Sequence, residues 1–318
     1  MARDSETATA VVQGAVRLVT LAPAKVNLVL RVGPARADGY HEIHSLMAPL
    51  DLGDRVEVRV STRDGPITCA VPGFPELDGD ANLAARAARA FREALGLSRG
   101  VAIRIEKRTP VTAGLGGGSS DAAAVLRCLA RAFPVAPAAL ARIGLSVGSD
   151  VPFFLGKGPA WAGGRGERLR PASVPPLDLV LLYPEDPRLA IRAGDAYRWL
   201  DRARDGTAIR PLGRAHPFRA SLVGNDLQGA CVAQHPALLP LLGLLVGQGA
   251  TAAIMSGSGP TVFGVFPSRR AARGAARAIE AQRAPRLRVL LARTVGRQPR
   301  VTPWRSPRSA SSRSTKRS

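Results

Sequence analysis

"PVTAGLGGGSSDAAAVL", residues 110–126, places four glycines ahead of two serines, an aspartate and an alanine-rich run. Three of the glycines are consecutive. Glycine loses more conformational freedom on folding than any other residue, so such a cluster needs a reason. One reading is a flexible surface loop. The flanks favour another. "VAIRIEK" (101–107) before it alternates like a strand, and a helix is expected from about Ser119 to Phe133. A glycine turn between strand and helix leaves backbone N–H groups free at the helix start. Without side chains in the way, phosphate oxygens can approach them, and the helix dipole adds positive potential. Two better-known phosphate loops are excluded. A P-loop ends in Gly-Lys-Ser/Thr, whereas Gly118 is followed by Ser119 and Ser120. A dinucleotide fingerprint needs glycine where Ser119 stands, in a βαβ unit near the N-terminus.

Working outward, "LAPAKVNLVLRV" (21–32) and "RVEVRV" (55–60) read as strands, and "NLAARAARAFREAL" (82–95) as an amphipathic helix stopped by Gly96. Another helix is expected near 137–145, ahead of "SVGSDVPFFL". The Pro-rich "PASVPP" (171–176) is the best domain boundary. Beyond it come a buried strand, "LDLVLLY", and helices in "AGDAYRWLDRA", "GNDLQGACVAQ" and "PALLPLLGLL". Two strands, "ATAAIM" and "TVFGVF", flank a Gly/Ser turn, and "RRAARGAARAIEAQ" and "LRVLLAR" close the series as helix and strand. Strands and helices mix without strict βαβ alternation, so the fold class is α+β. Four units are expected: a flexible N-terminus (1–16), domains over 17–171 and 172–296, and a disordered basic tail (297–318).

The net charge of +21 raises the question of a nucleic-acid partner. Arginine supplies 41 of the 45 basic residues and is spread through the chain, which reads as a coding bias. No specific nucleic-acid role is expected. No apolar run approaches the length of roughly 18 residues that suggests a membrane span. Asp4 and Glu6 in the first residues argue against a signal peptide. Cys69, Cys128 and Cys231 are far apart and lack metal-ligand spacing, as reduced, buried thiols of a cytoplasmic protein would be.

The glycine stretch resembles the ATP-phosphate motif of the GHMP kinases, the superfamily of homoserine, mevalonate and galactose kinases. Its "GGGSS" is most similar to the branch acting on 4-diphosphocytidyl-2-C-methyl-D-erythritol. "APAKVNLVLRV", "RADGYHEIHSLM", "GSDVPFFLGKGPAWAGGRGE", "IMSGSGPTVFGVF" and, more weakly, "GNDLQ" carry the same resemblance in order, from about residue 20 to 293. It implies a ribosomal protein S5 domain 2-like N-terminal domain, a ferredoxin-like C-terminal domain and a cleft between them. It also implies ATP as co-substrate, with Mg²⁺ to neutralise its phosphates, though no protein ligand for the metal is assigned. The phosphoryl acceptor would be the 2-hydroxyl of 4-diphosphocytidyl-2-C-methyl-D-erythritol, in non-mevalonate isoprenoid synthesis. The resemblance further implies a cytoplasmic monomer or weak homodimer with no membrane partner.

Site residues follow motif by motif. The ATP loop would comprise Pro110, Val111, Thr112, Ala113, Gly114, Leu115, Gly116, Gly117, Gly118, Ser119 and Ser120. Asp150, on its own, reads as a turn acceptor or helix cap; the resemblance makes it the general base, with Val151 to Phe154 walling the site. Lys25, on its own, could be a lysine reaching from an apolar strand to water. The resemblance pairs it with Asp150. Asn27, two residues on, shares its strand face; by resemblance it contacts the methylerythritol portion. By resemblance His41 hydrogen-bonds cytosine, Tyr40 packs on it and Tyr197 covers the other face. His41 and His44 as a metal pair are disfavoured, since no Cys or acid completes a convincing ligand set with them. "SGSGPT" (256–261) is a tight turn that, by resemblance, closes over the cleft. Relatives carry Ser and Thr where Arg192 and Ala193 stand here, so an arginine contact to the diphosphate is one expectation for that subsite.

Overall fold

The computed structural model of the chain describes residues 15–204 and 218–304. The expected flexible N-terminus lies almost wholly outside these residues, as does the expected tail beyond Trp304.

The first domain runs β1 (Val16–Ala35), β2 (His41–Asp64), β3 (Ile67–Ala70), α1 (Leu83–Leu95), β4 (Arg99–Glu106), α2 (Gly117–Ala132), α3 (Pro137–Val147), α4 (Val151–Leu155), β5 (Ala160–Gly163) and β6 (Arg168–Pro171). Its sheet has the order β1-β2-β4-β3, with β5 beside β2 and β6 beside β5. One face carries Val56, Val58, Val60, Ile103 and Ile105, which pack under α1 and α2. Those helices present small residues inward, among them Ala84, Ala88, Ala122 and Ala123, all fully buried. Alanine keeps the helices close to the sheet and to each other. α1 begins where Asn82 accepts the Ala84 N–H at 2.8 Å and ends at Gly96, whose φ of +61° suits glycine.

The second domain runs β7 (Asp178–Pro184), α5 (Ala193–Arg204), β8 (Gly224–Asn225), α6 (Leu227–Gln234), α7 (Leu238–Gly247), β9 (Ala252–Met255), β10 (Val262–Phe266), α8 (Arg269–Ala281) and β11 (Leu287–Arg293), followed by β12 (Thr302–Pro303). Its sheet order, β11-β7-β10-β9, is the 4-1-3-2 arrangement of a ferredoxin-like sheet, antiparallel throughout. The unbroken apolar run of β7 follows from burial on both faces. Val180 and Leu182 pack under the helices, while Leu179 and Leu181 face the first domain. There they meet Ala24, Val26 and Leu28 of β1. The chain is therefore a two-domain α+β protein with an apolar layer between its sheets.

β1 is longer than its sequence suggested and carries register shifts between Pro23 and Lys25 and between Asn27 and Val29. Irregularities of this kind re-aim side chains. β8, from the second domain, pairs in parallel with β1 at Val29 and Leu30. Residues 297–304 correct the expected disordered tail. Thr302 and Pro303 pair with Val19 and Leu18, and the Arg17 guanidinium lies 3.5 Å from the Trp304 ring centre. The physical reason is that backbone pairing and one cation–aromatic contact need no apolar periodicity. The three cysteines are free and buried, and burial pushes their thiols up to about 12, so they stay protonated. No single helix among the described residues is long and apolar enough to cross a membrane.

Candidate active site

Alternation along β1 sends Ala24, Val26 and Leu28 into the inter-domain layer and Lys25 and Asn27 to the opposite side. There the two side chains meet: Lys25 Nζ donates to Asn27 Oδ1 at 2.7 Å and to the Gly114 carbonyl at 3.1 Å. The Lys25 backbone N–H also donates to Leu115 O at 2.9 Å, so β1 holds the glycine loop directly. Asn27 is fixed in turn, because its Nδ2 donates to Ser45 Oγ at 2.8 Å. Burial pulls the Lys25 ammonium below its ordinary pKa, and the Asp150 carboxylate opposes that shift.

Asp150 stands just before α4, yet its side chain makes no capping hydrogen bond. Its Oδ2 instead lies 3.8 Å from Lys25 Nζ, an ion pair wider than a hydrogen bond, with the carboxylate 35% exposed. Val151 to Phe154 do not wall the cavity as expected. They pack into the first domain's core, and Phe154 backs Gly116.

Lys25, Asn27 and Asp150 line a cavity of about 700 Å³ between the domains. Tyr40, His41 and Tyr197 line the same cavity. His41 and Tyr197 stack with ring centres 5.1 Å apart and 20° between planes. His41 Nε2 lies 2.9 Å from Asp201 Oδ1. Burial, with the Asp150 charge second, pushes the Tyr197 phenol up to about 12, so it remains a donor. Tyr40 is exposed, under the Arg165 guanidinium at 4.7 Å.

The loop residues divide by role. Gly114, Gly116 and Ser119 line the cavity. Ala113 and Leu115 are buried in the inter-domain layer and anchor the loop. The Val111 carbonyl accepts from the Tyr183 hydroxyl at 3.2 Å. α2 starts at Gly117, so the N–H groups of its first turn have no carbonyl a turn earlier within the helix. Ser120 sits deeper: its hydroxyl is fully buried and its N–H donates to Gly116 O at 2.9 Å.

Gly114 has a second reason to be glycine. At φ +74° a Cβ would lie 2.2 Å from Ser256 O and 2.9 Å from Gly259 O, in the "SGSG" turn of the second domain. Gly114→Ala is therefore expected to cost about 2–4 kcal/mol, since neither backbone can yield freely. A melting temperature equal to wild type would show that the two segments are not in contact.

Behind the loop lies a buried ionic cluster that sequence reading missed. Lys107 Nζ donates to Asp54 Oδ2 at 2.5 Å and to Asp121 Oδ2 at 2.9 Å. Burial, with Asp54 nearby and Lys107 opposing, pushes the Asp121 carboxyl up to about 8. Above its ordinary value of 3.8 the unfolded chain releases a proton that the folded chain retains up to about 8. Stability contributed at this residue therefore falls as pH rises through that window. Asp121→Asn should flatten the decline, so the variant's melting temperature gains on wild type between pH 5 and about 8. Parallel melting curves across that range would refute it.

Residues 82–158 match the GHMP kinases N terminal domain and residues 207–284 the GHMP kinases C terminal domain. A 4-diphosphocytidyl-2-C-methyl-D-erythritol kinase of Anaeromyxobacter dehalogenans strain 2CP-C is 74% identical over 308 residues, spanning 95% of this chain and 98% of that one. This chain belongs to the GHMP kinases, in the 4-diphosphocytidyl-2-C-methyl-D-erythritol kinase family. A member from Deinococcus radiodurans is 42% identical over 83% of this chain and 89% of its own. A crystal structure of 4-(cytidine 5'-diphospho)-2C-methyl-D-erythritol kinase matches with a TM-score of 0.69 at 36% identity, covering 87% of this chain and 99% of that one. Homoserine kinase from Cytophaga hutchinsonii matches with a TM-score of 0.67 at 18% identity, over 95% and 100% of the two chains, and shares the fold.

In this GHMP kinase, Arg192 is exposed and does not line the cavity, whereas Ala193 does. The arginines at the cavity are Arg165 and Arg198. Arg165 lay within a quoted motif and Asp201 two residues past Trp199, but neither sequence position signalled its neighbours. Both are brought in by strand and helix packing across the cleft.

Proposed function

We propose that this kinase transfers the γ-phosphoryl group of ATP to the 2-hydroxyl of 4-diphosphocytidyl-2-C-methyl-D-erythritol. The observation that carries this reading is one cavity lined by the Lys25–Asp150 pair, glycines of the loop and the His41–Tyr197 stack. Its size suits a nucleotide-sized acceptor. Asp150 takes the proton of the acceptor hydroxyl, and the freed oxygen attacks the γ-phosphorus in line with the departing ADP oxygen. Lys25 stands within reach of the same oxygen and offsets the charge that grows on the transferring group. With Nζ and Oδ2 3.8 Å apart, both can reach one hydroxyl oxygen placed beside the pair. The N–H groups opening α2 hold the nucleotide phosphates. His41 and Tyr197 receive the cytosine, and Asn27 orients the sugar alcohol.

Mg²⁺ would supply charge neutralisation on the phosphates. Among the described residues no group of three His, Cys, Asp or Glu side chains could hold an ion. The donors beside the loop are Ser119 and Asp150. That set fits an ion carried by the phosphates with one or two protein oxygens at most.

The deciding experiment follows ADP release with purified protein, Mg·ATP and either 4-diphosphocytidyl-2-C-methyl-D-erythritol or homoserine. Turnover with the cytidine compound alone is expected. Equal or faster turnover with homoserine would replace the acceptor assigned here.

A further inference from the structure

The Lys107 cluster has no contact with the cavity, yet it brackets the loop that borders it. Asp54 sits on β2 and is fully buried. Its Oδ1 accepts the N–H groups of Arg108 and Thr109 at 2.6 and 2.7 Å, which pins the strand exit where the loop begins. Its Oδ2 takes Lys107, whose ammonium also reaches Asp121 on α2, where the loop has ended. The two bonded carboxylates therefore stand on either side of residues 110–116, with one lysine joining them. Gly117, the first residue of α2, rests against this joint. A Cβ there would lie 3.2 Å from Thr109 Cγ2 and 3.3 Å from Lys107 Nζ.

We propose that Lys107 is a positioning residue that ties the two ends of the glycine loop together through Asp54 and Asp121, setting the loop amides for the phosphates of ATP. This rests on the reading that the loop holds those phosphates. The one ammonium is enclosed by two acidic side chains, so the cluster projects no net positive field toward an anion. Its contribution is geometric. Stability alone is a weak reason for the cluster, because well-packed apolar residues usually serve a core as well or better than a buried ion pair. What apolar residues do not supply is a directional link between a strand exit and the helix that opens at the loop's end.

The test uses the full chain and three variants, Lys107→Met, Asp121→Leu and Asp121→Asn. The asparagine keeps an oxygen to accept from Lys107; the leucine does not. Amide hydrogen exchange of residues 111–119 in the ligand-free protein reads the loop, and calorimetry with Mg·ADP reads the nucleotide. Lys107→Met and Asp121→Leu should speed loop exchange and weaken Mg·ADP by about tenfold, the loss of roughly one charge-assisted hydrogen bond. Asp121→Asn should stay near wild type in both. Lowered melting temperatures with unchanged loop exchange and Mg·ADP affinity would reduce the cluster to a structural role and overturn the proposal. Equal behaviour of Asp121→Asn and Asp121→Leu would overturn it too, and decides the matter if Lys107→Met does not fold. Faster loop exchange in the variants, with a wild type that does not bind Mg·ADP, would support the tie and remove the phosphate reading instead.

Discussion

Asp150→Asn should lower kcat by about 10²–10⁴-fold, the usual contribution of a general base, and leave ATP affinity within about twofold. The amide has the carboxylate's shape, so packing is preserved. α4 does not depend on the side chain, which makes no capping bond at the helix start. The changed property is basicity: an amide cannot take the hydroxyl proton. Lys25 also loses the charge that opposes its desolvation, so its pKa falls further. Steady-state turnover and calorimetry with Mg·ADP check both halves. Turnover near wild type would remove Asp150 from the chemistry.

Lys25→Met is expected to damage both steps. The ammonium is buried and donates to Asn27 and Gly114 while facing Asp150. Its loss removes the cation beside the transferring group, about 10²–10³-fold in kcat. It also leaves the Gly114 carbonyl with Ser256 Oγ as its remaining side-chain donor, at 3.1 Å. The nucleotide Kd should therefore rise together with the fall in kcat, unlike in Asp150→Asn. Arginine should not rescue the variant. Lys25 Cγ already lies 3.1 Å from where a Gly116 Cβ would be, and Nζ lies 3.3 Å from the corresponding point at Gly257, so a guanidinium has no room. A kcat loss with unchanged nucleotide affinity would separate Lys25 from the loop.

The regular elements were legible because burial imposes periodicity. α1, α8, β7 and β11 follow their expected spans closely. Lys25, Asp150 and the glycine loop were expected together only through the family resemblance, and they line one cavity. What stayed hidden depended on distance along the chain. Lys107 and Asp54 are 53 residues apart, and nothing local to either announces the other. The strand at Thr302–Pro303 was read as tail because two residues of backbone pairing leave no hydrophobic pattern. Phe153 and Phe154 misled in the opposite sense: adjacency to Asp150 suggested a cavity wall, while the turn of α4 rotates them into the core.

The contact between Gly114 and the turn at Ser256 has a thermodynamic corollary. The loop belongs to one domain and the turn to the other, and Ser256 Oγ, Lys25 Nζ and the Gly114 carbonyl form one junction. A rotation that parts the domains would break the Ser256 contact, while Lys25, in the loop's own domain, keeps its hold on Gly114 and Leu115. A ligand that steadies this contact should therefore steady the loop as well, and by reciprocal linkage each ligand should gain from the other. The acceptor should tighten nucleotide binding by the factor by which nucleotide tightens the acceptor, and Ser256→Ala should shrink both factors together.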